Sequence, residues 1–126
     1  MEPVFIKKEN QVLFLVSGNK EELDECMKEG YVVMDAAKEE GVSEKHLPVV
    51  EKIGKKITVK VGSISHPMTE EHSIVWIFLE TKQGAQFRRF SADEEPKGEF
   101  ILADGDEPVA VYAYCNLHGF WKTKII

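Results

Sequence analysis

Five side chains in this sequence could together do metal or redox chemistry: His46, His66, His72, Cys115 and His118. The chain has four histidines and two cysteines, so the set takes every imidazole and one of the thiols. Cys115 stands three residues before His118. His66 and His72 bracket Pro67-Met68-Thr69-Glu70-Glu71, and His46 follows Glu44-Lys45. Each lies in a loop or at a strand edge, near a turn residue such as Pro48, Pro67 or Gly119. Loops on a rigid scaffold are where binding groups are presented. A single histidine is more often a surface or core residue, and Cys-x-x-His alone is a weak metal signal. The weight lies in the whole inventory falling in such segments.

Counting donors separates the metals. Structural zinc takes four ligands in a tetrahedron and favours thiolates. Four imidazoles and one thiolate instead suit a square pyramid, with nitrogens in the plane, sulfur on the axis and a sixth position open. Iron accepts this mixed set and cycles between two oxidation states. Copper competes on raw affinity, and a structural zinc in a β-sandwich interaction module is a further reading. An axial thiolate pushes electron density toward whatever binds opposite.

The elements that must position these groups read as short strands. Val4 to Ile6 and Val12 to Val16 form two, separated by the polar stretch Lys7 to Asn10. Glu21 to Lys28 reads as a short helix with Leu23, Cys26 and Met27 on one side and Gly30 as its stop. Tyr31 to Met34 is a further apolar run. Asp35 to Ser43 reads as a linker. Beyond it, strands are expected at Val49 to Ile53, Ile57 to Val61, Ile74 to Leu79, Phe87 to Phe90, Phe100 to Leu102, Val109 to Tyr114 and Phe120 to Ile126. Seven short strands with turns between them predict an all-β fold, a sandwich or a barrel.

Composition limits the partners. The 126 residues carry a formal net charge of −6. Proteins that neutralise phosphates or anionic lipids need surplus Lys and Arg, so neither nucleic acid nor a membrane surface is expected. No apolar run approaches the roughly 20 residues of a membrane helix, and Met1 to Lys8 lacks the apolar core of a signal peptide. Two cysteines make no disulfide framework, and the expected location is the cytoplasm.

Three segments carry a family likeness. Glu44-Lys45-His46-x-Pro48, His66-Pro67-Met68-x-x-x-His72 and Cys115-Asn116-x-His118-Gly119-x-Trp121 resemble, in the same order, the signature of superoxide reductases, the desulfoferrodoxin and neelaredoxin family. The resemblance implies an immunoglobulin-like β-sandwich. It implies one non-haem iron per chain, held by His46, His66, His72 and His118 in the plane and Cys115 on the axis. It implies one-electron reduction of superoxide to hydrogen peroxide without release of oxygen. A non-catalytic iron protein for electron transfer is the alternative.

Some family members carry a small desulforedoxin-like domain with an iron held by four cysteines. Residues 1–34 resemble it in length and strand pattern but contain only Cys26. The expectation is therefore a vestigial, metal-free domain at 1–34, with Cys26 a small buried hydrophobe, and the iron-binding sandwich at 35–126. Superoxide is an anion and the chain is net negative, so a local cation is needed near the open site. Lys45 is the candidate, to attract the anion and to order a proton-delivering water. The resemblance assigns Glu44 to the sixth position in the resting ferric state. Backbone N–H groups of Asn116, Leu117 and His118 are candidate donors to the thiolate. Trp76, Tyr112, Tyr114 and Trp121 are read as core or site-wall residues. The family expectation is an external, rubredoxin-like electron donor and a homodimer or higher homo-oligomer.

Overall fold

A computed structural model of the chain describes residues 3–9, 11–15, 20–34, 46–63, 66–117 and 119–125. Two compact units divide it, Met1–Asp35 and Ala36–Ile126. The expected linker falls outside the described residues, as do Glu44, Lys45 and His118.

In the first unit, β1 (Val4–Lys8) forms a hairpin with β2 (Gln11–Leu15), and β3 (Val32–Val33) pairs with the other edge of β1. Strand β1 extends through Lys7 and Lys8, beyond the expected Ile6. These lysines pair with Val12 and Gln11, and Glu9 turns the chain at φ 54°. Helix α1 (Lys20–Lys28) has Glu21 and Glu22 in its first turn and Lys28 in its last, matching the helix dipole. It ends in a Schellman motif: Tyr31 N–H reaches the Cys26 carbonyl, Gly30 N–H reaches that of Met27, and Gly30 takes φ 99°. No residue of α1 is buried. Cys26 is half-buried rather than the buried hydrophobe expected, and Met27 is 50% exposed.

The described residues of the second unit are mostly β-strand. Its strands are β4 (Pro48–Ile53), β5 (Lys56–Val61), β6 (Ile74–Thr81), β7 (Ala85–Arg89), β8 (Lys97–Ile101), β9 (Pro108–Cys115) and β10 (Gly119–Lys124). One sheet has the order β4-β5-β8 and the other β10-β9-β6-β7, with every neighbouring pair antiparallel. Strand β5 alternates, turning Ile57, Val59 and Val61 inward. They pack against Ile77 and Leu79 of β6 and Val111, Ala113 and Cys115 of β9, closing a sandwich core. The opposite face of the larger sheet is aromatic. Trp76 stacks on Tyr114 at 5.5 Å, Phe78 meets Tyr112 at 6.0 Å, and Phe120 stacks on Tyr112 at 5.9 Å. With both faces apolar, β6 and β9 read as near-continuous hydrophobic runs. Glu80 extends β6 past Leu79 because the buried Tyr112 hydroxyl donates to its carboxylate at 3.0 Å.

The largest displacement from expectation is β8, which runs Lys97–Ile101 rather than Phe100 to Leu102. Its other inward position is Gly98, which shows no apolar side chain in the sequence. It is small for a reason: a Cβ there would lie 2.9 Å from Ile77 Cδ1 and 3.3 Å from Arg88 Cδ.

Candidate metal centre

Strand ends of the sandwich deliver the donors to one place. His46 stands just ahead of β4, His66 and His72 lie in the connection from β5 to β6, and Cys115 is the last residue of β9. One ligand atom from each of these four residues falls within 4.8 Å of all the others. His46 is 1% exposed, His66 4% and Cys115 0%, while His72 is partly exposed. His72 is thus the least buried of the four.

The rings interlock. His66 stands edge-on between the other two, 4.5 Å from His46 at 77° and 4.6 Å from His72 at 78°. His46 and His72 lie nearer parallel, at 30°. His66 Nε2 is 3.0 Å from His46 Nε2 and 3.4 Å from Cys115 Sγ. A backbone carbonyl only accepts, so the 2.6 Å contact of His66 Nδ1 with the Pro67 carbonyl puts the proton on Nδ1. That leaves the Nε2 lone pair facing the cluster, the usual way a metal-ligating imidazole is oriented.

Donor spacing tests the fit. With metal–nitrogen bonds of ~2.1 Å, donors at right angles on a shared ion lie about 3.0 Å apart and opposite ones about 4.2 Å. The observed nitrogen spacing of 3.0 Å matches adjacent donors on one ion, and the outer limit of 4.8 Å lies somewhat beyond the opposite-donor value, so one ion fits with a small inward shift of the outermost side chain. Three imidazoles and a thiolate suit a first-row transition metal rather than calcium or magnesium, which take oxygen ligands.

Trp121 of β10 lies flat on His46, ring centroids 4.9 Å apart at 22°, and is itself 1% exposed. The expected site-wall role fits it, and Trp76, Tyr112 and Tyr114 are buried as expected. The loop carrying His72 is held by side chains that the spacing of donors did not reveal. Thr69 Oγ1 accepts from His72 N–H at 3.1 Å, and Thr69 N–H donates to the His72 carbonyl at 2.9 Å. Met68 Sδ accepts from Ile74 N–H at 3.3 Å. One expectation is corrected. Asn116 N–H donates to the Ser73 carbonyl at 3.2 Å, because the turn after β9 continues its pairing with the start of β6. It is therefore not directed at the thiolate.

Residues 38–124 match the family described as desulfoferrodoxin. The chain belongs to the desulfoferrodoxin family. A desulfoferrodoxin of Clostridium acetobutylicum is 36% identical over 119 residues, covering 94% of this chain and 92% of the relative. A superoxide reductase of Pyrococcus horikoshii is 33% identical over 99 residues, covering 65% of this chain and 86% of that one. The crystal structure of the superoxide reductase from Treponema pallidum matches 98% of each chain, with 31% identity and a TM-score of 0.81. The desulfoferrodoxin match thus takes in all three segments that carried the resemblance in the sequence.

Proposed function

We propose that this protein is a superoxide reductase, adding one electron and two protons to superoxide to give hydrogen peroxide. The convergence of His46, His66, His72 and Cys115 within 4.8 Å, in a member of the desulfoferrodoxin family, carries the reading. The relatives named as superoxide reductases favour it over a non-catalytic electron-transfer protein. Iron, one per chain, would be held by His46, His66, His72, His118 and Cys115. When bound, it supplies the single electron that the reaction consumes.

The remaining work falls to the chain. The Cys115 thiolate, buried at the end of β9, would donate electron density to the bound iron. Lys45, next to His46 in sequence, draws the anion in and orders the water that delivers a proton. Glu44 would serve as a further ligand in the resting oxidised state. Residues 1–34 act as a vestigial desulforedoxin-like domain without metal, since Cys26 alone cannot make a tetrathiolate site. The iron-binding domain spans 35–126. Electrons come from an external rubredoxin-like protein, the working form is a homodimer or higher homo-oligomer, and the free thiols suit the cytoplasm.

Metal analysis followed by rapid mixing with pulsed superoxide tests the reading. About one iron per chain is expected, with rapid oxidation of the reduced protein and peroxide as product. Cys115→Ser should lose the visible thiolate-to-ferric band. Oxygen evolving with the peroxide, or sluggish oxidation of the reduced protein, would remove the reductase assignment.

A further inference from the structure

Asn116 is exposed, yet its hydrogen bonds converge on one short stretch of chain. Its Oδ1 accepts from Ser73 N–H at 3.0 Å, and its Nδ2 donates to the Glu71 carbonyl at 3.1 Å. Its own N–H donates to the Ser73 carbonyl at 3.2 Å. Glu71 and Ser73 are the two neighbours of His72, and Asn116 is the neighbour of Cys115. One side chain therefore grips both flanks of one donor from the residue beside another. The Thr69 contacts close the 66–73 loop on itself, and the Asn116 contacts tie that loop to the end of β9.

We infer that Asn116 is a positioning residue, a clamp that sets the separation of His72 from Cys115 and so the metal affinity and thiolate character of the centre. The inference rests on the metal reading above. The side-chain chemistry is specific. Aspartate keeps the acceptor for Ser73 N–H but turns an oxygen toward the Glu71 carbonyl, where a donor is required. Alanine loses both bonds. His72 is the least enclosed of the four clustered donors, so it has least help from core packing in holding its place.

The test uses the full chain and Co2+ alone as probe, followed by titration and by the near-ultraviolet thiolate-to-cobalt band. Asn116→Ala should weaken Co2+ binding roughly 10–100-fold, the usual cost of losing an outer support of a ligand, and should shift the band. Asn116→Asp should fall between Asn116→Ala and wild type. Gln86→Ala removes a 2.8 Å bond to the Ile101 carbonyl at the far end of the sandwich and should change neither readout. Asn116→Ala with wild-type affinity and an unmoved band overturns the clamp. Should that variant not fold, wild-type affinity and band in Asn116→Asp overturn it.

A wild-type chain with no thiolate-to-cobalt band would count against the metal reading instead. The clamp is then read in the metal-free chain by amide exchange of Ser73. Fast exchange in Asn116→Ala with protection kept in Asn116→Asp supports it, and wild-type protection in Asn116→Ala overturns it.

Discussion

Trp121 holds its ring flat against His46 while its indole N–H is buried and, among the described residues, has no hydrogen-bond partner. The two halves of that side chain have opposite effects on stability. The ring fills space behind a donor, and the N–H carries an uncompensated desolvation cost of about 1–3 kcal/mol. Trp121→Phe keeps a flat ring and removes the N–H, so its unfolding free energy should stay within about 1 kcal/mol of wild type, the lost N–H offsetting the lost volume. Trp121→Ala should lose about 3–5 kcal/mol by opening a cavity. Denaturant unfolding of the metal-free variants checks this, and equal losses would mean that the N–H matters more than the ring. The four clustered donors were legible in the sequence because histidine and cysteine are few and stand beside turns. Their orientation was not. The Pro67 carbonyl, the Thr69 hydroxyl and the Asn116 amide become partners only once the loop has its shape, and the Asn116 N–H was expected at sulfur but serves the Ser73 carbonyl.

Strands were easiest to read where alternation or a continuous apolar run marks them, as in β5 and β6, and hardest where an inward slot holds glycine, as in β8. Gly98 gives that slot its own test. Gly98→Ala would press a methyl group onto Ile77 Cδ1 and the Arg88 side chain, and should cost about 1–3 kcal/mol by overpacking. Thermal unfolding measures it, and an unchanged midpoint would mean that the two sheets part freely there. The turns answer to pH. Asp106 is held below the usual carboxylate range first by the Thr81 hydroxyl and then by the Gln83 and Glu107 amides. Glu94 is lowered by the Ser91 amide, then its hydroxyl, then Arg88, and Glu107 chiefly by Lys82. A carboxylate with a depressed folded pKa stabilises the fold above its unfolded pKa and loses that effect as pH falls through the folded value. The melting temperature should therefore drop below roughly pH 4, and Asp106→Asn should show a shallower acid slope.

At the scale of the whole molecule, a net charge of −6 repels the proposed substrate, so approach depends on local charge near the site. Lys45→Ala should slow encounter with superoxide about tenfold at low ionic strength. The wild-type rate should fall as salt is added, and the variant's rate should be flat or rise. Stopped mixing across a salt series checks this, and parallel slopes would return Lys45 to the solvent. The all-β fold was legible from seven spaced strands and the family resemblance chose a sandwich over a barrel, whereas the stacked aromatic layer on the far face of the larger sheet was not legible, because periodicity alone cannot say which apolar face meets which sheet.

The donors belong to the ends of strands in both sheets, β4 and β5 on one side, β6 and β9 on the other. No local hairpin can assemble them, so capture of the proposed ion would need the long-range pairing of the sandwich. A nascent or partly unfolded chain would present scattered, weakly binding side chains. Loading and release of the proposed ion would thereby be tied to the global integrity of the domain rather than to the fraying of any one loop.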